Sequence, residues 1–329
     1  MHRESKRPPD TRVATTLTVE RPGDYLKSMR RNEFCALLLF VAARITGAQE
    51  IPGRDLLEFP LGSLAEGTAL SLATGDGFRN PAAIALPRGL RARFTVSSLT
   101  TGSQQGVAGQ IVAVALAVPS EVTAALTVAR ASVDGIVRTE TDPQSIGGDV
   151  PYGTIIVSAI AARRPAPNIV TGLAVRYQTG EIDQDRRAAL GIDAGMVMTD
   201  LLRVDGRLGL TSFLWRPGVH AGDGAAFAGA FDARVAGHDS LAQMRAGYSY
   251  NDAPGLSREH FAFVGGRLGR WEARGGLART EVTSRFTSRA RFAVGFHYER
   301  YAVSVAREES PTGLAPVYHF TFVMGVPSR

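Results

Sequence analysis

The six histidines are the residues best suited to acid–base or metal chemistry, but their spacing forms no catalytic motif. The sequence has no Gly-Xaa-Ser-Xaa-Gly elbow, no His-Glu-Xaa-Xaa-His pair and no Gly-Lys-Ser/Thr phosphate loop. His260, His297 and His319 fall at strand positions, so a hydrolase dyad with a serine in a membrane wall stays open as an alternative. The preferred interpretation is that these histidines are hydrogen-bonded wall residues. We therefore predict no enzyme, no cofactor and no metal.

Three aspartates carry the second candidate chemistry, which is a cation site. Asp183 and Asp185 lie in a predicted loop, where carboxylates are ordinarily solvated. Asp193 lies within a predicted strand, and an unpaired carboxylate in a membrane wall would be costly. We therefore predict that Asp193 faces inward and pairs with an arginine of the preceding strand, such as Arg176.

The elements that must position these side chains are strands. From residue 88 onward the chain lacks the 3.6-residue periodicity of helices and instead alternates apolar and polar residues between Gly/Pro/Asp/Asn/Ser breaks. We predict fourteen strands, at 89–99, 106–118, 121–133, 152–163, 168–178, 187–198, 206–215, 224–235, 241–250, 258–268, 271–280, 289–299, 301–307 and 316–326.

The alternation gives each strand one apolar and one polar face, because successive side chains of a strand point in opposite directions. In 289–299, Phe292 and Val294 share one face and Arg291 lies on the other. The polar faces supply the predicted lumen residues Arg176, Asp193, Arg245, Arg289, Arg291, His297 and His319. Segment 271–280 is less regular, since Arg279 falls on the face of Trp271. Arg279 is expected near a membrane interface, or the register slips there.

Strand length and connection rhythm favour a closed transmembrane barrel over a soluble periplasmic sandwich, which remains an alternative. The predicted strands are about ten residues long, as a tilted membrane-spanning strand requires. Short connections alternate with generally longer ones at 100–105, 134–151, 179–186, 216–223, 251–257, 281–288 and 308–315. Tyrosines such as Tyr248, Tyr298 and Tyr318 lie near segment ends, where interfacial aromatic girdles belong. The predicted fold is therefore an all-β, closed antiparallel barrel of about fourteen strands.

Composition excludes several other classes of protein. The mean hydropathy is -0.01 and no apolar run approaches 20 residues, which excludes a polytopic helical membrane protein. The single cysteine excludes a disulfide framework and a cysteine-ligated zinc site. The net charge of +6 arises largely in residues 1–48, and the remaining arginines form no run. We therefore predict no nucleic-acid partner.

The amino-terminal region has the pattern of an export signal. Met29 is followed by Arg30 and Arg31, by an apolar core at 34–43 and by small residues before Gln49. We predict that residues 1–28 precede the natural start, that 29–48 form a signal peptide and that cleavage falls before Gln49. The protein is then expected in the outer membrane, in contact with lipid.

Residues 49–87 precede the first strand and are predicted to plug the barrel. A fourteen-stranded barrel is wider than the eight-stranded barrels that side chains fill, so an unfilled lumen would leak. Asn80 is a suitable amino-terminal cap and Pro81 a suitable first residue for a short helix that includes Ala82 and Ile84. The alternatives are a periplasmic tail and a helix packed under the barrel. The barrel itself is assigned to 88–329.

The Asn-Pro-Ala element at 80–82, followed by Ile84, resembles the long-chain fatty-acid transporter (FadL-like) family. The stretches 172–183 and 191–195 are similar to the related PorV/PorQ-type barrels. The first resemblance implies a fourteen-stranded barrel with an amino-terminal hatch and uptake of hydrophobic compounds. The second implies a structural or secretion-accessory barrel that binds secretion-machinery proteins at the cell surface.

The sequence as a whole favours an outer-membrane barrel that admits a hydrophobic small molecule. The gating candidates are Asn80, Pro81, Ala82 and Ile84, in a segment expected to rearrange around 80–85. The secretion-accessory barrel is the alternative.

Overall fold

The computed structural model describes residues 52, 56, 65–102, 106–119, 121–139, 146–201, 205–214, 226–239, 242–253, 257–282, 285–309 and 316–328. The predicted leader 1–28, the predicted signal peptide 29–48 and the cleavage site before Gln49 lie outside these residues. Most of the first part of the predicted plug, 49–64, lies outside them as well.

Alternating apolar and polar residues build long strands throughout the described chain. The strands are β1 (Leu90–Thr100), β2 (Val107–Val118), β3 (Val122–Val133), β4 (Val137–Thr139), β5 (Ile146–Asp149), β6 (Tyr152–Ala166), β7 (Ile169–Ile182), β8 (Asp185–Leu201), β9 (Gly206–Leu214), β10 (Ala226–Asp239), β11 (Ala242–Ala253), β12 (Ser257–Leu268), β13 (Trp271–Val282), β14 (Arg285–Tyr298), β15 (Tyr301–Glu308) and β16 (Val317–Pro327). The described part also contains one 3₁₀ helix, Pro81–Ile84. In that part no helix is long and apolar enough to cross a membrane.

Fourteen of these strands form one closed antiparallel barrel, which confirms the predicted fold and strand number. Each strand pairs with its neighbours in sequence, except that β3 pairs with β6 across the small β4–β5 hairpin. The first and last strands close the barrel, with Thr95 opposite Val323 and Thr100 opposite Tyr318. The described sheet therefore has no free edge, unlike the margins of a soluble sandwich.

Two of the predicted long connections are largely taken up by strands instead. Strand β7 runs to Ile182 and β8 begins at Asp185, so the predicted loop 179–186 is wrong; β13 and β14 replace most of 281–288 in the same way. Asp183 adopts a φ of 54°, which lets two residues reverse the chain. The polar ends of these strands continue the alternation, although their composition is that of a loop. The predicted loop 134–151 in turn contains the β4–β5 hairpin.

The barrel surface is inverted relative to a soluble protein. On β7 and β8 the outward Leu173 and Leu190 are 61% and 62% exposed, whereas the inward Arg176 and Asp193 are 1% and 0% exposed. The same inversion holds on β14, where Phe292 is outward and Arg291 is buried, as predicted. An apolar exterior around a closed barrel is the arrangement that a lipid bilayer requires.

The outward charged and aromatic residues lie near the strand ends. Arg279 faces outward close to the end of β13 and stacks over the ring of Phe286 at 4.2 Å. Arg279 thus lies near a strand end, where an interfacial residue is expected, and β12 pairs with β13 without a register slip. At the opposite end, Arg270 lies 4.8 Å from the ring centroid of Tyr298. Aromatic residues thus flank the apolar band on both sides.

A charge placed in the middle of the apolar band should destabilise the barrel strongly. Val175 is 54% exposed at mid-strand, so Val175→Arg is expected to lower the free energy of unfolding by about 2–4 kcal/mol. The measurement is urea unfolding in phospholipid vesicles. Val118→Arg, at an exposed strand end, is the matched control and should cost about 0–1 kcal/mol. Equal losses in the two variants would contradict a lipid-facing exterior.

Candidate functional site

Residues 65–87, which we call the inner segment, lie against the inward faces of the barrel strands. Leu70, Phe78 and Ile84 are each at most 1% exposed. The Thr95 hydroxyl donates to the Thr74 carbonyl at 3.0 Å, and the Thr127 hydroxyl donates to the Asp76 carbonyl at 2.7 Å. This segment is the described part of the predicted plug, and it fills the lumen between strands on opposite sides.

Asn80 anchors the inner segment through its side chain. Its Oδ1 accepts a hydrogen bond from the Ala82 amide at 3.0 Å and so caps the 3₁₀ helix, with Pro81 at the first helical position as predicted. Its Nδ2 donates to the Ala69 carbonyl and, at 3.4 Å, to the Met196 carbonyl on β8. One amide therefore joins the helix, an earlier part of the inner segment and the wall.

Two glycines of the wall make room for this anchor. Gly172 on β7 and Gly195 on β8 are register partners, and both face the inner segment. A Cβ at Gly172 would lie 2.6 Å from the Pro81 carbonyl oxygen, and one at Gly195 would lie 2.9 Å from Pro81 Cδ and closer still to Asn80 Oδ1. Neither distance is tolerated between real atoms, so the pair forms a glycine seat for residues 80–82.

The chain before the helix turns sharply at two further glycines. Gly75 and Gly77 have φ values of 58° and 72°, in the left-handed region that glycine adopts at no steric cost. Arg93 on β1 holds this turn by donating to the Gly75 carbonyl at 2.6 Å and to the Ala83 carbonyl at 2.9 Å. Between the glycines, burial raises the pKa of the Asp76 carboxyl, against the opposing hydrogen bond from the Phe78 amide.

The ion pair that the sequence predicts between Arg176 and Asp193 is present and fully buried. Arg176 also donates to the Phe78 carbonyl, and its guanidinium lies 5.0 Å from the Phe78 ring centroid. The pair therefore does more than neutralise charge in the wall. It connects the wall to the inner segment near Gly77.

Two larger groups of ion pairs lie inside the barrel near its two ends. At the end with the longer connections, Arg291 forms a two-pronged bond with Glu259, at 2.8 and 2.6 Å, and contacts Glu308 at 2.7 Å. Arg289 bonds the same two glutamates, at 3.1 and 2.6 Å. The predicted lumen residue His319 is also buried and faces inward, and its Nε2 has no hydrogen-bond partner within the described residues.

The second group, which we call the turn-end cluster, lies near the end with the shorter connections. Its members are Glu66, Asp205, Arg207, Asp232, Arg234, Arg245, Glu272, Arg274 and His297. Although burial opposes its charge, the guanidiniums of Arg234 and Arg245 hold the pKa of Asp205 below its ordinary value. The structure thus places the predicted Arg245 and His297 in one group, and Arg289 and Arg291 in the other.

The other sequence candidates for acid–base or metal chemistry contact glutamate, tyrosine or arginine side chains. His297 bonds Glu272 at 2.9 Å, and the outward His260 bonds the Tyr248 hydroxyl, so neither of these bonds is to a serine. Asp183 and Asp185 pair with Arg138 and Arg187 at exposed positions. Among the described residues no group of three or more potential ligands could hold a metal ion.

The lumen is less polar than the sequence suggests, because apolar patches run along β1–β3, β6 and β7. Towards the longer connections, Leu99, Ile111, Ile156 and other side chains pack around Phe78. On the same side of the barrel, closer to the end with the shorter connections, Ile160 packs with Ile84. Ile156 and Ile160 lie on one inward face of β6, so the two patches follow one another along the strand.

Comparison with solved structures identifies the fold. No family model and no curated protein sequence matches the chain. The chain is similar to the CymD monoaromatic hydrocarbon channel, with a TM-score of 0.52 and 10% identity over 78% of this chain and 93% of that chain. A FadL homologue of Pseudomonas aeruginosa gives 0.47, with 12% identity over 76% and 93%. The toluene transporter TodX of Pseudomonas putida gives 0.48, with 10% identity over 75% and 91%.

At such identities the likeness establishes a shared fold. The predicted resemblance of fold to the FadL-like transporters is confirmed. The resemblance to PorV/PorQ-type barrels is not confirmed, and the secretion-accessory alternative gains no support.

A methyl group in the glycine seat should dislodge the inner segment without opening the barrel. Gly195→Ala is expected to expose the peptide bond after Arg79 to trypsin, because Asn80 and Pro81 no longer fit against β8. Mass spectrometry of the fragments measures cleavage, which should be absent in the parent protein. Gly295→Ala is the matched control, since its new Cβ would have no neighbour closer than 3.6 Å. Protection of the Arg79 bond in both variants would show that the seat does not hold the segment.

Proposed function

We propose that the protein admits hydrophobic small molecules across the outer membrane and that the inner segment controls their passage. The observation that carries this proposal is the succession of apolar patches around Phe78 and Ile84, along the inward faces of β1–β3, β6 and β7. A nonpolar solute on this path would contact apolar side chains for much of its length, which lowers the cost of leaving a nonpolar phase.

The exterior and the fold support the location and the class of function. A closed barrel with an apolar outer band and aromatic residues near both ends is the arrangement of outer-membrane proteins. The export signal predicted at 29–48 agrees with this location. CymD, which shares the fold, is a monoaromatic hydrocarbon channel.

The inner segment has features of a gate, because noncovalent side-chain contacts attach it to the wall and its turn is conformationally permissive. Among these contacts are Asn80 in the glycine seat and the backbone carbonyls that Arg93 and Arg176 hold. Gly75 and Gly77 can change their backbone angles more readily than other residues. If residues 80–82 leave the glycine seat, Phe78 and Ile84 leave the two apolar patches together, and the proposed path opens.

A polar group in the apolar path should slow the uptake of a hydrophobic solute. Ile160→Asn is expected to reduce the initial uptake rate of a radiolabelled monoaromatic hydrocarbon about tenfold, since desolvating an unpaired amide costs about 1–3 kcal/mol. Uptake is measured in cells whose only such channel is this protein. Ile182→Asn, at an exposed strand end, is the matched control and should transport normally.

Two results would reject the proposal. One is uptake equal to that of cells lacking the protein. The other is an Ile160→Asn variant that folds and transports like its control.

A further inference from the structure

The turn-end cluster has equal numbers of carboxylate and guanidinium groups only when the inner segment is in place. Within the described residues, its wall part has three carboxylates against four guanidinium groups. The carboxylates are those of Asp205, Asp232 and Glu272, and the guanidiniums are those of Arg207, Arg234, Arg245 and Arg274. The fourth carboxylate, Glu66, belongs to the inner segment and is 4% exposed.

The contacts of Glu66 with Arg207 and Arg274 are longer than those that the two arginines make with the wall. Arg207 holds Asp232 through two N–H groups, one of them at 2.9 Å, and Arg274 holds Glu272 in the same way, one at 2.8 Å. The Glu66 carboxylate lies 3.6 Å from Arg207 and 3.3 Å from Arg274. Each arginine therefore keeps a close carboxylate partner in the wall. Arg274 turns its free Nη1 towards Glu66, whereas Arg207 approaches Glu66 with the same Nη2 that bonds Asp232.

We propose that Arg207 and Arg274 form an oxyanion-binding site in the barrel wall, which the Glu66 carboxylate occupies while the inner segment is seated. Guanidinium N–H groups donate to carboxylate and phosphate oxygens alike, so a small oxyanion such as inorganic phosphate can take the place of Glu66. If the inner segment leaves without a replacement, the partly buried wall part keeps one guanidinium more than it has carboxylates, which is unfavourable.

An anion that binds the vacated site removes this cost. Because the anion and Glu66 compete for the same two guanidiniums, anion binding must favour release of the inner segment by linkage. The site therefore couples the concentration of a soluble oxyanion to the position of the gate. The inference rests on the proposed function only in requiring that the inner segment can leave its seat. It does not depend on the identity of the cargo.

The test measures release of the inner segment directly. Ser71 lies in this segment, is 2% exposed and differs from cysteine only in its chalcogen atom, so Ser71→Cys is a buried reporter, and the predicted cleavage before Gln49 removes Cys35. A neutral water-soluble maleimide should label this thiol only when the segment is released. In detergent-solubilised protein, replacing chloride by inorganic phosphate at constant ionic strength is expected to raise the labelling rate about tenfold, the factor that one charge-assisted contact typically supplies.

Glu66→Gln in the same background removes the competing carboxylate. This variant should label about tenfold faster than the parent already in chloride. Glu121→Gln is the matched control, because Glu121 is an exposed turn residue, and it should respond to phosphate like the parent.

A labelling rate of the parent that does not change with phosphate would overturn the proposal, whether or not Glu66→Gln folds. A folded Glu66→Gln variant that labels no faster than the parent in chloride would overturn it as well. The proposed transport function fails separately: a phosphate response of the parent, without hydrocarbon uptake, would retain the oxyanion site and reject the cargo.

Discussion

Backbone hydrogen bonding in an apolar solvent is the constraint on which the rest of this structure depends. Lipid offers no partners for N–H and C=O groups, so every membrane-spanning strand must be paired on both sides. The pairing of β1 with β16 meets this condition by leaving no edge in the described sheet. Closure then fixes the alternation of side chains, with Leu173 and Leu190 facing out and Arg176 and Asp193 facing in. The composition of the lumen is thus a consequence of the composition of the exterior.

Closure at fourteen strands creates a second requirement, because the interior is too wide for wall side chains alone to fill. The inner segment occupies this space, and the wall is adapted to it where residues 80–82 approach. Gly172 and Gly195 carry no side chain at the point of closest approach, and Arg176 and Arg93 extend to backbone carbonyls of the segment. Buried charges are tolerated because nearly all are paired, and Glu66 takes part in this pairing from the inner segment.

The sequence predicts the wall much better than it predicts the contacts of the lumen. All fourteen strands follow from a local period of two, and the Arg176–Asp193 pair follows because a buried carboxylate needs a partner on a neighbouring strand. The loops at 179–186 and 281–288 were overestimated, since strand ends that project beyond the apolar band have the composition of loops. The β4–β5 hairpin was missed for the same reason.

Other features were missed because their causes are distant in sequence. Nothing local distinguishes Gly195 from the other strand glycines; its role depends on Asn80, which is far away in the chain and close in space. Glu66 offered one weak signal, as a carboxylate within a Leu-, Ala- and Gly-rich stretch, where an unpaired charge would be unfavourable. The identity of its partners, Arg207 and Arg274, requires the register of β9 and β13.

The central claim, a closed barrel with a lipid-facing exterior, is tested most directly by electrophoresis of detergent-extracted protein with and without boiling. Closed barrels resist unheated detergent because the hydrogen-bonded cylinder must open cooperatively. The account predicts a compact, faster-migrating band before heating that shifts to the mobility of the unfolded chain after boiling. A protein that is released without detergent and migrates identically under both conditions would contradict it.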